Sequence, residues 1–253
     1  MALAKVQLAS PALGMCISCN VILPQRKDAE RNKPLPVLWL LHGAYGNYTD
    51  WIRKSNIERY VAPYGLAVVM PDGQNSCYTD MAHGRKFYTC ITEDMPKALQ
   101  KLFNFSDKRE DNFIAGLSMG GRGSLIMGLS KPEQYSVIGC LSAGANHVKN
   151  GHLHEMAFGR AAVKNTYKDP FGCAIKILEK DLPRPRIYHA CGTEDFLLPA
   201  AHETRDFFEA LPGNPFDYHY TENPGDHNWD FWDEHIKEFI KFLNLPKVGN
   251  EFV

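Results

Sequence analysis

An apolar run, Phe113-Ile114-Ala115, gives way to Gly116-Leu117-Ser118-Met119-Gly120, and the glycines continue at Gly121 and Gly123. Few patterns restrict a fold so tightly. A serine with glycines two residues to either side, placed where a buried strand turns into a helix, sits on a bend too sharp for side chains at the flanking positions. Its hydroxyl then stands clear of the sheet. Glycine-rich turns of this composition also occur without any chemistry, so the surrounding sequence has to decide.

Apolar runs recur along the 253 residues at 37–41, 67–70, 113–117, 137–141 and 187–190, with helical stretches between them. Runs that do not alternate with polar residues suit strands buried on both faces. Each ends in a polar or glycine-containing loop: HGAYGN, PDGQN, GLSMGG, SAGAN and CGTED. The pattern predicts an α/β fold, a mostly parallel central sheet with helices on both faces, whose ligands gather at the carboxyl ends of the strands. Two amino-terminal segments, 6–8 and 16–23, read as antiparallel edge strands.

Helices are expected at 92–103, opened by the cluster Thr92, Glu93 and Asp94, and at 119–129, stopped before Pro132. Later ones are expected at 199–210 and 231–243. The stretch 145–185 breaks the rhythm and is expected to form a small cap-like insertion over the strand ends, within a single domain spanning 1–253.

A formal net charge of -1 with both signs evenly scattered gives no basic stripe for nucleic acid and no acidic tail. The expected partner is a small molecule. The amino-terminal segment lacks a secretory h-region, and nowhere do about 18 apolar residues run uninterrupted, so the chain is expected to be cytoplasmic and free of the membrane. Seven cysteines, mostly within apolar runs, read as reduced thiols. Cys16 and Cys19 resemble a redox or metal pair, but residues three apart on a strand face opposite sides and no second pair follows. His147, His152 and His154 lack a cysteine or acidic ligand at finger spacing and read as exposed. No metal and no cofactor is expected.

A serine hydroxyl is a poor nucleophile at neutral pH and needs a base, and the base needs a carboxylate to hold its tautomer. Asp195 follows the apolar run 187–190, and His227 follows a further strand-like run at 217–220. Ser118, Asp195 and His227 thus each fall on a loop after a strand, at the same edge of the sheet. Glu194 and Asp226 are neighbouring carboxylates that compete for the orienting role. The backbone N–H of Met119, at the start of the helix, is one candidate donor for an oxyanion, and that of Ala44 is the other. His42 reads as a brace for the loop that carries Ala44, and Trp51 and Trp229 as packing against the two loops they flank.

Taken together, LLHGAYGNYTDW, PDGQNSCYTDMAHGRKFYT, GLSMGGRGS, CGTEDFLL and GDHNWDFW resemble the esterase D branch of the α/β-hydrolases, close to the tributyrin-esterase type and to the acetylxylan and feruloyl esterases of carbohydrate esterase family 1. The resemblance implies an α/β-hydrolase fold and a serine carboxylesterase without metal or organic cofactor. It implies Ser118 as nucleophile, Asp195 as orienting acid, His227 as base, and Ala44 with Met119 as the oxyanion hole. Short acyl esters, acetyl or butyryl, are the implied substrates. Feruloyl esterase and S-formylglutathione hydrolase stand as alternatives, followed by acyl transfer or a binding protein without turnover. The histidine-rich HVKNGHLHE belongs to no motif of the family, and acyl preference, alcohol preference and oligomeric state stay open.

Overall fold

The computed structural model describes residues 1–25, 32–146, 152–159 and 163–248. Strands β1 (Ala2–Ser10), β2 (Met15–Leu23), β3 (Val37–Leu41), β4 (Ala67–Pro71), β5 (Asn112–Leu117), β6 (Val137–Leu141), β7 (Arg186–Gly192) and β8 (Tyr218–Asn223) form one eight-stranded sheet. Its order is β1-β2-β4-β3-β5-β6-β7-β8. β1 pairs antiparallel with β2, and β2 antiparallel with β4, while the pairs from β4 across to β8 are parallel. This is the mostly parallel α/β sheet that the loop pattern predicts, and the α/β-hydrolase architecture that the resemblance implies. Cys16 is exposed and Cys19 buried on β2, as its period of two requires.

The helices are α1 (Asp50–Lys54), α2 (Ile57–Val61), α3 (Phe87–Thr89), α4 (Met95–Phe103), α5 (Met119–Ser130), α6 (His152–Phe158), α7 (Pro170–Glu179), α8 (Leu198–Glu209) and α9 (Trp229–Phe242). They cover both faces. Val37, Trp39 and Leu41 of β3 pack with residues of α4, α5, α7 and α8, whereas Leu38 and Leu40 pack with residues of α1, α2 and α9. An unbroken apolar strand is therefore what the position demands, because neither face meets water.

Two elements differ from expectation. The helix expected at 92–103 is α4 preceded by a π-helical turn, Cys90–Asp94, which continues from α3. Thr92 donates its hydroxyl to the Tyr88 carbonyl at 2.8 Å, and the Asp94 carboxylate accepts from the Ser10 hydroxyl and the Ala12 N–H. These side chains tie the turn to the β1–β2 hairpin instead of capping a helix. Within 145–185, α7 packs on α5 and gives Ala174 and Ile177 to the core, as the crossover helix between β6 and β7. Asp169 caps it by accepting from the Gly172 N–H at 3.1 Å. Among the described residues of this stretch, α6 meets the loop after β4, where the N–H groups of Ala82 and His83 donate to the carbonyls of Ala157 and Met156. His147 lies outside the described residues.

Phe239 of α9 is fully buried, and a side chain at Gly139 of β6 would collide with its ring at 2.7 Å. The close approach of α9 to the sheet rests on this fit of a large residue over a glycine. Phe239→Ala should cost about 3–5 kcal/mol of folding stability through the cavity it leaves, read from the shift of the urea midpoint at unchanged m-value.

Candidate active site

β5 ends at Leu117 and α5 begins at Met119, leaving Ser118 to make the whole bend at φ 52° and ψ -119°. A non-glycine residue at positive φ is strained and persists only where its surroundings over-determine it. Here they do. The Ser118 N–H donates to the Leu141 carbonyl at 2.8 Å, and the Arg122 N–H returns to the Ser118 carbonyl at 3.1 Å. A Cβ on Gly116 would lie 2.5 Å from the Gly120 carbonyl, and one on Gly120 would lie 2.6 Å from the carbonyl oxygens of Leu41 and His42. The two motif glycines are thus required by backbone running against backbone.

The bend brings the Ser118 Oγ to 2.9 Å from His227 Nε2. On the other side of the ring, His227 Nδ1 lies 3.0 and 2.9 Å from the two carboxylate oxygens of Asp195. An ionised carboxylate only accepts, so Nδ1 carries the proton and Nε2 turns its lone pair to the serine hydroxyl. Residues 109 positions apart in the chain meet in one hydrogen-bonded chain.

The competing carboxylates are engaged elsewhere. Glu194 accepts from the Gly225 N–H at 2.6 Å, which clamps the loop carrying His227. Asp226 accepts from the His227 N–H at 2.6 Å and so fixes that residue's backbone.

The Asp195 side chain has 0% exposed surface. Burial pushes its carboxyl up, but hydrogen bonds from His227, the Leu197 N–H and the Ser142 hydroxyl outweigh burial and hold it below its ordinary value. Ser142 is the partner that reading the sequence missed. It stands at φ 50° just beyond β6 and accepts from the indole N–H of Trp232 at 2.9 Å. An indole nitrogen can only donate, so the Ser142 oxygen is the acceptor there and its own proton is left for Asp195. The SAGAN loop was visible as a strand-end loop, but nothing local distinguishes its serine from any other.

Aromatic rings join the histidine loop to the end of β3. Trp232 meets His227 edge to face at 5.0 Å, Trp229 meets Trp232 at 5.3 Å, and Trp51 meets Trp229 at 5.2 Å. Trp51 then donates its indole N–H to the Leu41 carbonyl at 3.0 Å. Asn228 caps α9 by accepting from the Phe231 N–H at 3.2 Å, so the run HNWDFW sets imidazole, cap and rings in one turn.

His42 braces its loop in a specific way. Its Nε2 accepts from the Gly73 N–H at 2.9 Å, so the proton sits on Nδ1 and is donated to the Gly43 carbonyl at 2.7 Å. Burial lowers its pKa against the raising effects of that carbonyl, Asp72 and Asp50. The Gly46 N–H donates to the same Gly43 carbonyl at 3.2 Å. Across a trans peptide the next N–H points the opposite way, so that of Ala44 faces away from this network. Gly43 itself lies against the serine: a Cβ there would be 3.5 Å from the Ser118 Cβ. Met119, as the first residue of α5, presents an N–H with no acceptor one turn earlier in the helix. Its position at the positive end of the helix dipole suits a developing negative charge.

The family model described as "Putative esterase" matches residues 10–243. The chain belongs to this esterase family. An acetyl esterase of Caldicellulosiruptor saccharolyticus is 30% identical over 265 residues, covering 96% of this chain and 98% of the relative. Among solved structures, the substrate-bound fluorophosphonate-binding serine hydrolase F of Staphylococcus aureus superposes with a TM-score of 0.87 at 32% identity, over 96% of this chain and 98% of that one. An S-formylglutathione hydrolase from Staphylococcus aureus gives a TM-score of 0.83 at 33% identity, with the same coverage of 96% and 98%. The esterase is accordingly a serine ester hydrolase acting on small-molecule esters, and among its described residues no helix is long and apolar enough to cross a membrane.

Ser142→Ala deletes a donor to a buried carboxylate and should cost about 1.5–3 kcal/mol of stability. The depressed Asp195 carboxyl contributes stability above its unfolded pKa of about 3.9 and loses it as pH falls through the folded value. With the donor gone the folded value rises towards the unfolded one. The stability gap between wild type and variant should therefore be full at neutral pH and narrow as pH drops below about 4, as read from urea midpoints across a pH series.

Proposed function

We propose that this esterase hydrolyses short-chain acyl esters, of the acetyl or butyryl type, through an acyl-enzyme on Ser118. The observation that carries the reading is the continuous path from the Ser118 hydroxyl through His227 to Asp195, with contacts of 2.9 Å at both ends of the ring. Ser118 Oγ attacks the ester carbonyl carbon while its proton passes to His227 Nε2. The carbonyl oxygen, now negative, takes hydrogen bonds from the N–H groups of Ala44 and Met119. As the tetrahedral intermediate collapses, His227 gives its proton to the departing alcohol oxygen. Water then repeats the attack on the acyl-enzyme, His227 taking its proton and returning it to Ser118. Asp195 keeps the imidazole in the productive tautomer throughout. Every bond and proton in this cycle is accounted for by these groups, the substrate ester and one water.

The preference for short acyl groups is supported by the acetyl esterase that shares 30% identity along 96% of the chain. A second reading, thioester hydrolysis, is supported by the S-formylglutathione hydrolase at 33% identity. The reading also places the enzyme in the cytoplasm, supported by seven cysteines that are all free thiols. It treats the chain as one α/β domain in which 145–185 holds a cap-like insertion beside the core crossover helix α7.

Ser118→Ala should lower kcat on p-nitrophenyl acetate by about 10⁴-fold or more. Asp195→Asn should lower it by about 10⁴-fold with the fold intact, because the amide favours the wrong imidazole tautomer. Near wild-type turnover in either variant, with contaminating esterase excluded, would overturn the assignment. Relative kcat/KM on acetyl, butyryl, feruloyl and S-formylglutathione substrates separates the two readings of acyl and leaving group, with the short oxygen esters expected to lead.

A further inference from the structure

Phe196 is a large apolar side chain left 68% exposed, directly after Asp195, with its ring centroid 4.5 Å from that of His227. The turn that carries it is rigid. The Leu197 N–H donates to the Asp195 carboxylate at 2.8 Å and the Leu198 N–H to the Asp195 carbonyl at 2.9 Å. Packing of the imidazole does not account for this ring, because Trp232 already lies edge to face against it at 5.0 Å. Most of the Phe196 ring is open beside the imidazole, so a group bound next to His227 can cover it and remove that apolar surface from water.

Which part of the substrate meets Phe196 follows from proton transfer. His227 must reach the leaving oxygen to protonate it, so the alcohol half of the ester lies on the imidazole side. The two loops that carry Phe196 and His227 hold charge of one sign: 192–199 and 223–229 contain Glu194, Asp195 and Asp226 and no lysine or arginine. Glu194 and Asp226 are exposed, and the Glu194 carboxyl is held below its ordinary value by the Gly225 N–H, so it is charged at neutral pH.

We infer that Phe196 is the platform of an alcohol-side subsite that takes uncharged alcohols with a flat apolar ring face, and that Glu194 and Asp226 beside it disfavour anionic leaving groups. The inference rests on His227 being the acid that protonates the leaving alcohol. It assigns the leaving-group class, on which the reading of short acyl groups is silent.

Three acetates with closely similar leaving groups test it: ethyl acetate, benzyl acetate and 4-(acetoxymethyl)benzoate. Wild type should favour benzyl over ethyl acetate in kcat/KM, and Phe196→Ala should shrink that ratio about three- to tenfold, whatever its absolute loss, with Phe196→Tyr restoring it. An equal loss on both acetates, as expected if Phe196 merely shields the imidazole, would overturn the platform. The carboxylate-bearing acetate should be several-fold slower than benzyl acetate, with the gap closing at high salt and in Asp226→Asn. A gap that is absent, or indifferent to both, overturns the charge half.

Labelling of Ser118 by a fluorophosphonate reports on the nucleophile separately. Benzyl alcohol should slow that labelling in wild type and not in Phe196→Ala, a comparison that holds even if none of the acetates is turned over. Failure to label at all counts against the esterase reading, whereas labelling without protection counts against the subsite.

Discussion

Asp195 is an ion with no exposed side-chain surface, and a carboxylate in such a place stays charged only if donors replace the water it has lost. The imidazole of His227, the N–H of Leu197 and the hydroxyl of Ser142 do this together. Each belongs to a different strand-end loop or to the same turn, so the loops after β6, β7 and β8 converge on one charge. Its ionisation in turn dictates which nitrogen of His227 bears the proton, and so whether Ser118 meets a lone pair or a second donor. Two features that look separate, the proton path and the packing of α9, meet in Trp232, whose ring rests on His227 while its N–H directs Ser142.

Backbone strain collects at the same edge of the sheet. Tyr45, Gln74, Cys77, Tyr78, Ser118 and Ser142 all stand at positive φ, and they lie in the loops after β3, β4, β5 and β6. Strands buried on both faces supply the rigidity that keeps such conformations in place. His42 shows how: it is one residue beyond β3, yet it holds Gly73 after β4 and the Gly43 carbonyl in its own loop. The Gly43 carbonyl is thereby turned into this network, and the Ala44 N–H away from it. Trp51 reinforces the arrangement by fastening α1 to the last carbonyl of β3.

Much of the fold was legible because the signals were long or steric. Five short apolar runs without alternation, each ending in a turn-like loop, suit strands covered on both sides, and the structure finds them in the centre of the sheet. Gly116 and Gly120 could be read as close backbone contacts because no other residue tolerates 2.5–2.6 Å from a carbonyl. The opening of α4 misled for a local reason: Thr92 and Asp94 have the chemistry of caps, but their partners, Tyr88 in α3 and Ser10 in the hairpin, are chosen by the packing. The crossover helix α7 within 145–185 was missed because α6 and further loop lie between it and β6, so its amphipathic stretch does not follow directly on a strand.

The sequence by itself determined the succession of buried strands along the chain, the sharp bend at Ser118, and the presence of a serine, an acid and a histidine on three strand-end loops. These follow from side-chain period and backbone sterics, which are local. It left Glu194, Asp195 and Asp226 as rival carboxylates, gave no hint of Ser142, and treated Trp51 and Trp229 as generic packing. Only the tertiary structure decided among them, because a hydrogen bond has a length and a direction. Residues adjacent in a loop point different ways, and which one reaches across 32 positions to His227 depends on where two separate strands end.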